Sequence, residues 1–387
     1  MDFFWKKSGW DREDKHLFAL NHGPFKRKYP DINLTPGVTL IRGPRQIGKS
    51  TWMKTLLKKH SQQGESCFFY SCEDLNDHKD LTALLDSQPE VEYFFLDEVT
   101  FVKEWWRSIK KSTDASLNKK YILTGSNSYD LKFGLDLMPG RWAQGGGEMF
   151  LLPMDFEEWC EMRRQAQWPT LSRVDGLRLY MKTGGFPTAL TESGPEGKHP
   201  VNAIKTYRRW IEGDVVKLRR QPQYMMELIG QIAKSLGSSL SLQTLAKNTQ
   251  MMSYHTAQDY IGILEHAFAV RVLYAYNPEK DSFHMKKDKK FYFTDPLIFW
   301  VALEWSGIKT PENFESQLAE NIACEHLMRK TKRMGYYSDQ NGEVDFISAK
   351  DWAIEVKWAP TAGNLSKAFK NLAIANKKVW TQSNLLL

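Results

Sequence analysis

Four short apolar runs punctuate the first third of the chain: Val38-Thr-Leu-Ile-Arg42, Ser66-Cys-Phe-Phe-Tyr-Ser71, Val91-Glu-Tyr-Phe-Phe-Leu96 and Lys120-Tyr-Ile-Leu-Thr124. Near-continuous apolar runs mark strands buried on both faces, and the helical stretches between them predict an open parallel sheet with ligands at the strands' carboxyl ends. From Pro153 to Leu236 the pattern turns helical, with Tyr207, Trp210, Ile211 and Val215 near helical spacing. The Gly/Pro-rich segment Thr191 to Pro200 interrupts it as an exposed loop or linker. Leu240 to Leu273 reads as helix, turn, helix and strand, with Ser253 as an N-cap, which is a winged-helix pattern. The last segment predicts an α-β-β-β-α-β order, beginning with the helix Leu318–Leu327. The expected divisions are a nucleotide-binding α/β core at 1–160, a helical lid or connector at 161–236, a winged-helix-like module at 237–305 and a small α/β domain at 306–387.

The first strand runs into Gly43-Pro44-Arg45-Gln46-Ile47-Gly48-Lys49-Ser50-Thr51, a G-x-x-x-x-G-K-S loop followed by a helix containing Trp52, Leu56 and Leu57. Phosphates need inward-pointing backbone N–H groups; the glycines permit that loop and the helix N-terminus adds partial positive charge. Lys49 is expected to reach the β and γ phosphates and Ser50 to offer its hydroxyl to Mg²⁺. The third run closes on Asp97 and Glu98, placing Asp97 to support the metal and Glu98 to orient the attacking water. Thr124, Ser126 and Asn127 end the next strand, where they would sense the γ phosphate. A guanine-reading N-K-x-D is missing, so ATP is the expected nucleotide.

Composition narrows the setting. The 387 residues are 42% hydrophobic and 13% aromatic, enough for real cores. Four cysteines without C-x-x-C spacing argue against a disulfide framework or structural zinc and for a reduced, cytoplasmic protein. The opening residues lack a signal-peptide apolar run, and the most apolar later stretch, Pro296-Leu-Ile-Phe-Trp-Val-Ala-Leu-Glu-Trp305, amounts to half a membrane span, so no membrane partner is expected. The net charge of +7 is mild, but basic residues cluster at Lys217, Arg219 and Arg220, at Lys286, Lys287, Lys289 and Lys290, and at Arg329, Lys330, Lys332 and Arg333. Aromatics lie beside them, so a nucleic-acid surface and ordinary solvated faces both stay open. The second helix of the winged pattern offers Tyr254, His255, Gln258 and Asp259 without Arg or Lys, which weakens groove reading.

The loop at 43–50, Leu-Asp-Glu at 96–98, Leu-Thr-Gly-Ser at 123–126, Gly140-Arg141, Leu152-Pro153 and Gly184-Gly-Phe-Pro187 together resemble the prokaryotic AAA-type ATPases that carry a C-terminal domain of unknown function. That resemblance implies ATP hydrolysis, ring-type homo-oligomers as a possible assembly, and a role for Arg141 against nucleotide in cis or from a neighbouring subunit. A guanidinium suits that role because it stabilises charge on the transferred phosphoryl group, whereas a surface salt bridge is the plainer alternative.

The C-terminal segment is similar to the restriction-endonuclease-like fold, in which Asp345 followed ten residues later by Glu355-Val-Lys357 resembles the metal site. A three-residue hairpin loop at Ala349, Lys350 and Asp351 pairs residues whose numbers sum to 700, so Asp345 faces Glu355 and Glu343 faces Lys357. A four-residue loop would separate the two acids unless a bulge intervened. Asp345 and Glu355 could then hold Mg²⁺ against a scissile phosphate of double-stranded DNA while Lys357 positions water and Glu320 joins from the helix. Three functions follow: an ATP-driven switch with a nuclease-like, DNA-engaging module, a nucleotide-switched docking protein without nuclease activity, or an ATP-gated DNA endonuclease.

Overall fold

The computed structural model describes residues 4–7, 9–126, 128–144, 147–251, 253–331, 333–349 and 351–386. These form two compact units, Met1–Leu152 and Pro153–Leu387. The helix Phe156–Gln165, whose N-cap Asp155 accepts the Glu158 N–H, follows the start of the second unit.

Among the described residues the first unit carries five strands, β1 (Gly37–Arg42), β2 (Cys67–Ser71), β3 (Tyr93–Asp97), β4 (Lys120–Thr124) and β5 (Glu148–Phe150). Their order is β2-β3-β4-β1-β5, and every pairing is parallel. The apolar runs behave as their pattern requires: Phe94, Phe95, Leu96, Tyr121, Ile122 and Leu123 are buried. Because β4 lies between β1 and β3, its carboxyl end bridges the loop after β1 and the acids after β3.

The residues before β1 brace the helix that follows it, Lys49–Gln62. Lys58 pairs with Asp11 at 2.7 Å, Lys59 with Asp31 at 2.6 Å, and the Trp52 indole donates to the Pro30 carbonyl at 3.0 Å. Asp14 both caps the helix Lys15–His22 and accepts from Lys54; burial opposes its ionisation, but the Lys54 ammonium and the capped N–H groups hold its carboxyl below the usual range.

The second unit joins helices to a sheet of seven strands: β6 (Ser239–Leu240), β7 (Val270–Asn277), β8 (Ser282–Phe293), β9 (Gly335–Asp339), β10 (Gly342–Ser348), β11 (Trp352–Val356) and β12 (Asn376–Trp380). Their order is β12-β11-β10-β9-β7-β8-β6, so the hairpin β7–β8 and the C-terminal strands share one sheet through the parallel contact of Ala275 with Tyr336. The segments expected as separate at 305/306 are thus continuous in hydrogen bonding. The helices Leu242–Lys247 and Tyr254–His266 precede β7, and Phe314–Lys330, β9, β10, β11, Lys367–Asn371 and β12 reproduce the expected α-β-β-β-α-β order.

The apolar run at 296–305 is a buried helix, Pro296–Ser306, capped by Asp295, whose carboxylate also accepts the Gly185 N–H at 2.7 Å. Gly184, at φ +69°, lets that carboxylate approach: a Cβ there would stand 2.1 Å from Asp295 Oδ1. The Gly184-Gly185 motif is therefore accounted for by packing. Among the described residues no helix is long and apolar enough to cross a membrane. The cysteines are free thiols, and burial raises Cys67 to about 12 and Cys160 to about 11.

Candidate functional site

At the end of β1 the chain turns at Gly43, φ +155°, where a Cβ would stand 2.0 Å from the Leu151 carbonyl oxygen. Gly48, φ +105°, lies beneath the Tyr29 hydroxyl, 2.6 Å from where its Cβ would be. Both positions need glycine, for close approach as much as for backbone conformation. Pro44 and Ile47 are buried, Gln46 is exposed at φ +52°, and Arg45 and Thr51 are half-buried at either end of the turn. Lys49 starts the 14-residue helix, and its Nζ donates to the carbonyls of Gly43 at 3.0 Å and Pro44 at 2.8 Å, holding an ammonium at the loop. A loop of this shape, opening a helix at its N-terminus, presents backbone donors and a cation to an anion.

Arg27, which no motif in the sequence marks, clamps the loop from behind. Its guanidinium donates to the Ile47 carbonyl at 3.1 Å and to the Leu152 carbonyl at 2.7 Å. In the run Lys26-Arg-Lys28 it is indistinguishable from solvated charge.

Asp97, the last residue of β3, meets the helix that the loop opens, whereas Glu98 is held to the end of β4. Asp97 Oδ1 accepts from the Ser50 hydroxyl at 3.1 Å and from the Thr124 hydroxyl, so one carboxylate ties the loop's helix to the ends of β3 and β4. A hydroxyl and a carboxylate are hard oxygen donors, and this pair fits Mg²⁺. Glu98 sits at φ +54°, ψ +40°, its N–H donating to Thr124 Oγ1 at 3.1 Å and its Oε2 accepting the Ser126 N–H at 2.7 Å. Asn127 lies outside the described residues.

Arg141 is placed elsewhere. Its guanidinium forms a two-pronged pair with Asp114, at 2.8 and 2.9 Å, and its carbonyl accepts the Val38 N–H at the start of β1. Gly43 lies five residue steps along the strand from Val38, roughly 16 Å at about 3.3 Å per step. Arg141 therefore does not reach the loop of its own chain, and the expectation of a contact in cis is corrected to the surface ion pair.

The hairpin ladder follows the expected sum for Ser348 with Trp352, Ile347 with Ala353 and Phe346 with Ile354, but it stops short of the expected pairs Asp345–Glu355 and Glu343–Lys357, beside an irregularity of β10 between Val344 and Ile347; Lys350 of the expected loop lies outside the described residues. Asp345 Oδ2 accepts the Val356 N–H at 2.8 Å, and Lys357 Nζ lies 2.9 Å from Glu355 Oε1. Glu320 joins from the helix Phe314–Lys330, its Oε1 accepting from the Tyr292 hydroxyl at 2.6 Å. The acids converge, but on a lysine of the basic cluster at 286–290. Lys290, 0% exposed on β8, has its Nζ 3.1 Å from Glu320, 2.6 Å from Glu343 and 3.5 Å from Asp345. Burial works against its charge, but the three carboxylates outweigh that and hold its pKa above the usual lysine range. Burial, then the charge of Asp345, raises Glu320 to about 7, and the same two causes raise Glu355. Glu355 Oε2 is buried without a hydrogen-bond partner, which a protonated carboxyl tolerates better than a carboxylate.

These residues do not fit the divalent ion expected at Asp345 and Glu355. The space between Glu320, Glu343 and Asp345 that such an ion would need is already filled by the Lys290 ammonium, 3.1, 2.6 and 3.5 Å from the three carboxylates. Among the described residues no group of three or more His, Cys, Asp or Glu is arranged to hold a metal ion.

Other members of the basic clusters are also engaged internally. Arg220 pairs with Asp259, Arg333 with Asp281, and Arg329 with Glu325 while donating to the Pro153 carbonyl. Lys286 and Lys287 are exposed; Lys332 lies outside the described residues.

Residues 35–160 match the AAA domain family, and residues 174–309 match a domain of unknown function. The second span lies mid-chain and leaves residues 310–387, with the acid cluster's β10 and β11, outside both matches. The chain is 26% identical over 338 residues to an uncharacterised protein of Haemophilus influenzae, covering 82% of this chain and 80% of that one. Among solved structures it is similar to a Walker-type ATPase of Pyrococcus abyssi, at 16% identity and TM-score 0.47, over 68% of this chain and 90% of the other. It is also similar to the ORC2 protein of Aeropyrum pernix, at 14% identity and TM-score 0.39, over 76% and 91% of the two chains.

Proposed function

We propose that the N-terminal unit binds and hydrolyses ATP with Mg²⁺, and that its nucleotide state is read out by the C-terminal unit acting as a docking module. The observation that carries this reading is the chain Ser50 hydroxyl, Asp97 carboxylate, Thr124 hydroxyl at the foot of the Gly43–Lys49 loop, with Glu98 one residue further on. Bound Mg²⁺ would neutralise phosphate charge, with Ser50 and Asp97 as its protein-side support. The loop's backbone N–H groups and Lys49 bind and orient the phosphates, for which Lys49 exchanges its two carbonyl partners for phosphate oxygens. Glu98, steered by the Ser126 N–H, orients the attacking water and draws on its proton. The C-terminal element order supports a winged-helix-like segment followed by a restriction-endonuclease-like fold, and fold alone does not confer cleavage.

Wild type should turn over Mg²⁺-ATP, and Lys49→Ala should lose at least about 100-fold of that turnover. A purified wild-type chain with no affinity for adenine nucleotide at any magnesium concentration overturns the reading. A second reading, metal-dependent DNA cleavage, is favoured by the convergence of Asp345, Glu355 and Lys357 but opposed by the lysine seated among the acids.

A further inference from the structure

The acid cluster of the C-terminal unit is built around a cation that belongs to the chain. Lys290 enters from β8, Glu320 from the helix Phe314–Lys330, and Glu343 and Asp345 from β10, so three separate elements converge on one Nζ. A surface lysine samples many rotamers and pairs weakly. This one is enclosed, with the Tyr336 ring 5.6 Å from its Nζ and no exposed surface. Neighbouring polar groups are engaged as well: Tyr292 donates to Glu320, the Val356 N–H donates to Asp345, and Lys357 pairs with Glu355.

We propose that the Lys290 ammonium is the resident cation of this cluster and stands in place of a divalent metal ion, so that the C-terminal unit is a nuclease-like fold that neither binds metal there nor cleaves DNA. The physical difference lies in what each cation asks of the oxygens. Magnesium demands about six oxygens near 2.1 Å in octahedral array and brings water into the site. An ammonium donates three hydrogen bonds at ordinary distances and brings none. Lys290 Nζ donates to Glu320 at 3.1 Å, lies 2.6 Å from Glu343 and pairs with Asp345 at 3.5 Å, so the ammonium occupies the space between these carboxylates that a hydrated metal ion would need. The cluster then ties together β8, β10 and the helix Phe314–Lys330, elements on either side of the β7–β9 junction of the sheet. This inference is independent of the ATPase reading, which is assayed by nucleotide turnover in the first unit.

The test uses the full chain, free of nucleotide, titrated with Mn²⁺ alone and followed by electron paramagnetic resonance of the free ion. Each protein is measured with and without Asp345→Asn, so that the part of binding due to this cluster is read by difference. Wild type should show no Mn²⁺ binding that Asp345→Asn removes, and no Mn²⁺-dependent nicking of plasmid DNA. Lys290→Met, which keeps the length of the side chain and removes the ammonium, should gain one Mn²⁺ per chain at least tenfold more tightly than wild type, and lose it when Asp345→Asn is added. Wild-type Mn²⁺ binding abolished by Asp345→Asn overturns the proposal, as does wild-type nicking abolished by the same change. A folded Lys290→Met that gains no ion also overturns it. Should Lys290→Met fail to fold, the wild-type and Asp345→Asn pair decides alone.

Discussion

Replacing Glu98 by glutamine separates the chemistry of the loop from its architecture. The residue occupies a left-handed backbone conformation that costs a non-glycine residue about 1–2 kcal/mol, and two hydrogen bonds keep it there. One is its own N–H to Thr124 Oγ1, which a side-chain substitution leaves alone; the other runs from the Ser126 N–H to Oε2. Glutamine can turn its carbonyl oxygen to Ser126, so a charge-assisted hydrogen bond becomes a neutral one, a loss of about 1 kcal/mol in stability. The amide cannot take a proton from water. Removing a positioned base typically slows a reaction 10²- to 10⁴-fold, which at about 1.36 kcal/mol per decade is roughly 3–5 kcal/mol of barrier. The catalytic effect therefore exceeds the structural one several-fold. Single-turnover hydrolysis of radiolabelled ATP gives the rate, and titration with a fluorescent ATP analogue gives the affinity. Glu98→Gln should bind within about threefold of wild type while hydrolysing at least about 100-fold more slowly. Hydrolysis within threefold of wild type refutes the assignment of Glu98, and an affinity that falls in step with the rate shows that the residue shapes the pocket.

Three further outcomes follow from the same geometry. Gly43→Ala drives a Cβ against the Leu151 carbonyl oxygen at 2.0 Å, so it should abolish nucleotide binding and lower stability by at least about 2 kcal/mol, read by chemical denaturation. Arg141→Ala removes an exposed pair with Asp114 far from the loop and should leave the unfolding temperature and the turnover of dilute protein unchanged; a drop that appears only at high protein concentration would point to the neighbouring-subunit role. Burial lifts Asp295 to about 7 in the folded chain, against an ordinary carboxylate value near 3.8. A raised folded value means stability that is full below about pH 4 and is lost as pH rises towards 7, on the order of a few kcal/mol. Asp295→Asn cannot ionise, so although it mismatches one of the capped N–H groups at every pH, its deficit relative to wild type should shrink between about pH 4 and 7. A deficit that stays constant over that range would show that Asp295 ionises normally in the fold.

The candidate nucleotide site was largely legible in the sequence because its residues are local. Gly43 to Ser50 is one turn of chain, and β1, β3 and β4 announce themselves as apolar runs whose last residues must lie together in a parallel sheet. The register of β10 and β11 next to their loop was legible for the same reason, since loop length fixes which residues face each other as far as Phe346 and Ile354; the irregularity of β10 between Val344 and Ile347 was not. Arg27 and Arg141 were not. Each is a charged residue whose role depends on which backbone carbonyl or carboxylate the fold brings to it, Ile47 twenty positions away and Asp114 twenty-seven.

The same distinction holds for the acid cluster. Asp345, Glu355 and Lys357 carry their pattern within one hairpin, so sequence predicted that they would lie near one another; nothing in that hairpin states which cation they gather around. Lys290 stands at the join between the polar run Lys286–Lys289 and the buried run Phe291–Phe293, and its alternation could be read either way. Only when the sheet continued from β9 to β7 and β8 did its ammonium come between Glu320, Glu343 and Asp345. Periodicity is a property of one segment and survives translation into sequence, whereas the charge that compensates a buried acid is chosen by three-dimensional proximity, which sequence spacing does not encode.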